Sequence, residues 1–407
     1  MGRAANLVSI PTLVESPFII AHIGGYTFGS YSAQKYGSAV KVTYPNYMES
    51  MEIAKVNGTV NTYTLNFSYQ VRPGEDPNLL DKIFSTAANN RKLMLEYGDW
   101  NSPGYIYKEE VCIITNVTSQ LDMNSSLIKY TIRCTSDAIG LASVSYDFPA
   151  REAKPSDVLR EMLNSSKYGL REVFTGMQPN FNQLVATNDK VVKLKAQSGV
   201  TPLTYMNYLV SSMINYSNTG NNKLQNSAYV MTIHDDRTAG YSGTYFKVTE
   251  VSANTKTFSS PDTYEIDVNY PGDNFVTQFS LTNDQSWAIL YEYAEKLQME
   301  EYSYRVSNTG EVYSEYAPNL VRSATGGFSA AKSAWWTKMT QFPVQAVLTI
   351  KGLTRPSLLM SYVKVNVWFA GGQKHISSGL YIITKQVDNI SASGYKTTLT
   401  LLRVGGD

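Results

Sequence analysis

The residues best able to do chemistry are scarce in this chain: three histidines, His22, His234 and His375, and two cysteines, Cys112 and Cys134. Each histidine stands alone on a strand-like run or beside a turn, with no partner at i+4 and no cysteine nearby. A zinc site needs three or four N, S or O donors at short spacing, so this pattern points to incidental histidines. His234-Asp235-Asp236 is the one place where a histidine meets two carboxylates, a combination able to bind a metal or tune a proton transfer. It follows an apolar run ending at Ile233 and precedes Gly240, which reads as a polar turn at a strand end.

Carboxylates are the next test, because cleavage of a glycan needs an acid and a second carboxylate or a positioned water. Glu109-Glu110, Glu292, Glu295 and Glu300-Glu301 are available, and they read as solvated charges. The sequence holds no Gly-x-Ser-x-Gly elbow, phosphate-binding Gly-Lys-Ser/Thr loop or Gly-x-Gly-x-x-Gly fingerprint. Trp335-Trp336, with Tyr302, Tyr304, Tyr313 and Tyr316 before them, could form a sugar platform. The same residue types serve protein interfaces, where they give contact area at little entropic cost, and that is the reading adopted. Cys112 and Cys134 lie in separate strand-like runs and read as small buried hydrophobes. No residue is assigned to catalysis, to a cofactor or to a metal, and the expectation is a non-enzyme.

Lys and Arg number 35 against 34 Asp and Glu, so no long-range field draws nucleic acid, anionic lipid or an acidic partner. Charged residues make up only 17%, while Tyr alone numbers 30. Tyr and Thr suit half-buried pleated surfaces and wet interfaces, so the composition predicts β-sheets that associate. The first residues lack the apolar core of a secretory signal, and no run reaches the roughly 18 apolar residues that span a bilayer. Folding in the cytoplasm is expected.

The elements that must position these residues are mostly strands. Residues 18–28 are apolar around Gly24-Gly25, which predicts a bent strand or a hairpin. Alternating runs at 39–44, 51–56 and 59–69 follow, with Asn57-Gly58 as a hairpin turn. Asp76 and Pro77 open a short helix carrying Leu79, Leu80, Ile83 and Phe84, and strands resume at 92–97, 111–118 and 127–135. Helices are predicted from Pro155 and over 202–214, and Asn215 to Ser227 reads as a loop or linker. Strands at 228–233, 244–249, 264–268 and 275–281 lead to a helix over 285–299 and to strands at 344–351, 362–369, 379–386 and 395–403.

The expected fold is mainly β (α+β), with two β-barrel or sandwich modules, each carrying a packed helix. The divisions are residues 1–148, a helical and irregular middle region 149–227, and 228–407, either separate from the middle region or interleaved with it.

Two stretches resemble known assemblies. Tyr63-Thr64-Leu65-Asn66-Phe67-Ser68-Tyr69, the helix from Asp76, Leu95-Glu96-Tyr97-Gly98-Asp99 and Tyr130-Thr131-Ile132-Arg133 are similar in order to the tail-tube fold. Leu348 to Leu353, Ser378 to Ile383 and Ser393 to Leu401 look like the end of the baseplate hub proteins of tailed bacteriophages and related contractile machines.

The resemblance implies a virion structural protein of the tail baseplate, assembled in the host cytoplasm. It implies a homotrimeric ring with two tube-like modules per subunit, adapting a six-fold tail tube to a three-fold central spike or tail-tip protein. Tail tube proteins, the tape-measure protein and other baseplate proteins are the implied partners, with no sequence-specific nucleic acid and no membrane-spanning segment. A weakly charged channel would pass tape measure and genome during ejection. The rival readings are a tail-tube or tail-tip subunit, a virion glycan-binding protein and, last, a cell-wall hydrolase.

Overall fold

The computed structural model describes residues 17–30, 47–85, 92–99, 108–122, 124–170, 176–177, 191–219, 223–235, 244–252, 263–269, 276–283, 301–306, 312–317, 344–352 and 358–405. The expected strand at 39–44 and helix at 285–299 lie outside the described residues.

The chain opens with β1 (Pro17–Ile23) and β2 (Tyr26–Gly29), a hairpin whose turn residues Gly24 and Gly25 have φ of 57° and 84°. A turn with positive φ at both central positions suits the twist of a hairpin, and glycine adopts it without steric cost. β3 (Met48–Val56) and β4 (Thr62–Gln70) pair across the predicted Asn57-Gly58 turn, where Gly58 has φ of 72°. Helix α1 (Leu79–Ser85) is preceded by Asp76, whose Oδ1 accepts from Asn78 N at 2.9 Å. β5 (Lys92–Asp99), β6 (Lys108–Asp122) and β7 (Leu127–Thr135) complete this unit.

Alternation along β4 sends Tyr63, Leu65, Phe67 and Tyr69 to one side, where they are buried. Phe84 of α1 closes that core, with ring centroids 5.3 Å from Phe67, 5.6 Å from Phe28 and 5.5 Å from Tyr130. Each such fully buried side chain contributes about 1.5–3 kcal/mol.

The middle of the chain runs through β8 (Tyr146–Phe148), β9 (Arg151–Ala153), α2 (Pro155–Asn164), β10 (Gly176–Met177), β11 (Val192–Leu194), β12 (Gln197–Val200) and α3 (Pro202–Ser212). Proline opens both helices, where its missing N–H costs nothing. Thr201 caps α3, its Oγ1 accepting from Thr204 N at 3.2 Å. β13 (Ile214–Thr219), β14 (Lys223–His234) and β15 (Tyr245–Ser252) then form a sheet in the order β10-β15-β14-β13. Val158, Leu159, Met206, Leu209, Met231, Ile233, Phe246 and Val248 share its core, and Phe148 stacks on Tyr205 at 3.7 Å.

Within the expected loop at Asn215–Ser227 the described residues 215–219 and 223–227 are paired strand, with Ile214 opposite Ala228 and Thr219 opposite Lys223. Strand preference is weak and context-dependent, and backbone pairing with a long neighbour overrides the Asn and Ser content.

The last third contains β16 (Thr263–Val268), β17 (Val276–Asn283), β18 (Glu301–Val306), β19 (Val312–Ala317), β20 (Val344–Lys351), β21 (Tyr362–Val367), β22 (Gly379–Ser391) and β23 (Gly394–Gly405). Its core gathers Ile266, Leu348, Ile350, Val363, Val365, Ile383, Leu399 and Leu401. The two ends of the chain meet in one thirteen-stranded sheet, in the order β17-β20-β23-β22-β3-β4-β7-β6-β5-β1-β2, with β21 and β16 branching from β22.

β22 makes this union. Residues 379–382 pair with β21, and residues 385–391 pair with β3 of the first unit. A register irregularity between Ile383 and Lys385 separates the two halves. The fold is mainly β, as the sequence predicts.

Candidate functional site: a polar sheet face, its open edges and a buried seam

The shared sheet has a greasy side and a polar side. Register places Lys351, Lys396, Asn389, Glu52, Thr64, Arg133 and Asn116 in one row across seven strands. A neighbouring row runs Ser391, Ser50, Asn66, Thr131 and Thr118. Side chains bond along it: Asn66 Nδ2 donates to Ser50 Oγ at 2.9 Å and Thr131 Oγ1 to Asn66 Oδ1 at 3.0 Å.

The pleat dictates that the alternate residues Met51, Ile53, Leu65, Ile132 and Leu399 are buried on the other side. The polar side is built mainly from hydroxyls and amides. Its charges include Lys129, Arg133, Lys351, Lys385 and Lys396 against Glu52 and Asp122, a basic tilt that the near-neutral total conceals.

This sheet also has borders. β5 pairs with β6 only as far as Ile113, whereas β7 follows β6 to Asp122. Residues 114–122 of β6 therefore have no second neighbour among the described strands. At the far end β17 pairs with β20 and with no other described strand. Between Thr115 and Leu121, and along the whole of β17, there is neither a charge nor a proline. Leu121 and Leu281 are exposed on these two borders. Proteins that avoid edge pairing protect such strands with lysine, proline or a cover, so two long neutral edges have the chemistry to pair.

Beneath the sheet lies a buried polar seam joining the first unit to the middle one. Asp235, the residue after β14, accepts from Asn61 Nδ2 at 2.7 Å and Tyr63 Oη at 3.0 Å on one oxygen. Its other oxygen accepts from Ser136 Oγ at 2.6 Å and Thr244 Oγ1 at 2.8 Å. Tyr63 Oη also lies 2.7 Å from Oε2 of Glu110, whose Oε1 takes Lys55 Nζ and Tyr97 Oη.

Backbone bonds cross the same seam, from Val111 N to Asp235 O at 3.2 Å and from Gly58 N to Met231 O at 2.9 Å. Asn207 of α3 holds the Gly58 carbonyl at 2.7 Å, so the β3–β4 turn is gripped from the middle unit.

Burial pushes the Asp235 carboxyl up to about 6, with Glu110 adding to the rise and its hydrogen bonds opposing it. Burial pushes His234 down to about 3, and Lys247 and Lys55 assist. The Tyr63, Tyr97 and Tyr395 phenols are raised by burial beside carboxylates.

The sequence reading of these residues needs correction. His234 ends a strand as expected, and both His234 and Asp235 are buried; the turn that follows lies outside the described residues. Glu110 is fully buried, not a solvated charge. Its partners Tyr97, Tyr63 and Lys55 sit 13, 47 and 55 positions away in sequence, so no local pattern marks it.

The histidines do not converge. His22 Nε2 bonds Glu96 Oε1 at 2.7 Å, His234 Nε2 bonds Thr232 Oγ1 at 2.8 Å and His375 Nδ1 bonds Ser377 Oγ at 2.6 Å. Among the described residues no group of three or more His, Cys, Asp or Glu is placed to hold a metal ion. No described helix is long and apolar enough to cross a membrane. Cys112 and Cys134 are buried and unbridged. Asp236, Glu292, Glu295, Glu300 and Trp335-Trp336 lie outside the described residues, and of Tyr302, Tyr304, Tyr313 and Tyr316 the structure describes the backbone, in the β18–β19 hairpin.

No protein-family model and no curated protein sequence matches the chain. Solved structures do. A tail protein from Neisseria meningitidis MC58 superposes with a TM-score of 0.50 at 10% identity, over 95% of this chain and 98% of that one. A chain of the Francisella PdpA-VgrG complex matches at TM-score 0.50 and 11% identity, over 98% of this chain, which spans 60% of its length. A 43 kDa tail protein of prophage MuSo2 from Shewanella oneidensis gives 0.49 at 10% identity, over 95% and 97%. With nearly end-to-end coverage in the first comparison, the fold of this chain is similar to that of a tail protein.

Proposed function

We propose that the chain is a structural, non-enzymatic hub of a phage-type tail baseplate, acting as a ring of three copies. In this reading β17 of one copy lies against residues 114–122 of β6 in the next, so each copy fills one neighbour's border and offers its own to the other. A head-to-tail contact of this kind closes into a ring when the rotation per copy divides a full turn. Pairing satisfies the exposed backbone groups of both strands and continues the sheet around the ring.

The polar side then lines the central passage for tape measure and genome, with the tube on one rim and a three-fold spike or tip protein on the other. Its basic tilt departs from the weakly charged channel expected from composition.

The observation that carries the reading is two uncharged, proline-free borders of one sheet, residues 115–121 of β6 where β5 stops short and the end strand β17, in a chain with the tail-protein fold. Cysteine cross-linking tests it. Thr118→Cys paired with Ser280→Cys should give covalent trimers and closed rings on mild oxidation, whereas either change alone should not. Cross-linked dimers formed by Thr118→Cys alone would show a symmetric contact and refute the proposed ring.

A further inference from the structure

Tyr63 raises a problem of proton counting. A phenol carries one hydrogen, yet Tyr63 Oη lies 2.7 Å from Glu110 Oε2 and 3.0 Å from Asp235 Oδ2, both within bonding distance. With both carboxylates ionised, one of these contacts would set oxygen lone pairs against each other without a hydrogen between them. One additional hydrogen, on either carboxyl, makes both contacts bonds.

Charge counting leads to the same place. Lys55 supplies one ammonium against two carboxylates in a volume where Lys55, Glu110 and Asp235 are at most 2% exposed. An excess negative charge there is opposed by desolvation, and one proton removes it.

We propose that Glu110 and Asp235 share a single proton through Tyr63, and that this proton latches the middle unit onto the first β unit. The two carboxyls come from opposite sides of the seam, Glu110 from β6 and Asp235 from the end of β14, so the bridge exists only while the units are docked. The groups around it are Lys55 of β3, Tyr97 of β5, Cys112 of β6 and Cys134 of β7, with Lys247 of β15 acting on the adjacent His234 of β14. Asp388 and Tyr395, from β22 and β23, stand behind Tyr97.

Docking is tightest while the proton is held and loosens as pH rises past its release. That is the sign required of a buried carboxyl whose proton affinity is raised in the folded state.

Infrared titration of the full chain tests the idea. A protonated carboxyl band should persist to near pH 6, above the ordinary carboxylate range of about 4. The band should vanish in Asp235→Asn and also in Glu110→Gln, because either change leaves one carboxylate facing Lys55 and no excess charge to neutralise. Simple burial of Asp235 would leave the band intact in Glu110→Gln, and that result overturns the shared proton. So does a wild-type chain with no band above the ordinary range, a result that does not depend on whether the variants fold.

Hydrogen exchange reads the latch itself. Between pH 6 and pH 8 the Val111 and Gly58 amides should lose about tenfold more protection than amides deep in β4. Equal loss at both places would refute the latch.

Discussion

The borders of the shared sheet and the seam beneath it are made from opposite chemistry. Residues 115–121 of β6 and all of β17 carry no charge, although each is long and has an unpaired side among the described strands. The seam, by contrast, buries Lys55, Glu110 and Asp235 away from bulk solvent. A buried ionic cluster rarely adds net stability, but it penalises every arrangement that leaves one member unpaired. A neutral edge penalises nothing and accepts a partner strand. The chain thus specifies its internal docking with charge and leaves its outward docking to backbone hydrogen bonds and register.

The sharpest way to break this contrast is to remove one charge from the seam. Glu110→Ala removes the carboxylate that Lys55 and Tyr97 share and should cost about 3–5 kcal/mol in denaturant unfolding. A loss below about 1 kcal/mol would mean that the cluster specifies nothing.

Next in size is a pH effect. Asp235 is raised to about 6, so its contribution is complete below the ordinary carboxylate range and is lost as pH rises through 6. His234 is lowered to about 3, so its contribution is complete above about 6.5 and is lost as pH falls towards 3. Each swing is worth roughly 3 kcal/mol between pH 4 and pH 6.5, and the two oppose. Wild-type stability should therefore vary little across that window, whereas Asp235→Asn should lose stability steadily on acidification. Equilibrium unfolding at several pH values checks both halves.

The sequence shows the borders far better than the seam. The Gly24-Gly25 hairpin, the Asn57-Gly58 turn and the proline-led helices α2 and α3 were legible because each depends on residues a few positions apart. The neutrality of β17 could be read directly, although not its place at a border. Glu110 read as a solvated charge and Asp235 as part of a polar turn because most of their donors come from strands far away in sequence. The split pairing of β22 was hidden for the same reason: nothing in residues 379–391 says that one half serves β21 and the other β3.

A smaller effect is expected at Gly352, where the first and last cores approach. A Cβ there would come within 2.3 Å of the Tyr395 ring, and the Tyr395 backbone carbonyl accepts from Gly352 N at 2.9 Å. Gly352→Ala should cost about 1–3 kcal/mol in thermal or denaturant unfolding. The smallest effect on folding belongs to the borders. Thr118→Lys with Ser280→Lys should change the stability of a single chain by less than about 0.5 kcal/mol while abolishing association. A large loss of folding stability would place these residues in the packed interior of one copy.

Native mass spectrometry of the unmodified full chain at near-physiological salt tests the central claim most directly. Strand edges that sister copies complete predict one dominant species of three subunits, collapsing to single subunits in the Thr118→Lys, Ser280→Lys variant. A wild-type chain that stays a single subunit at micromolar concentration contradicts the account.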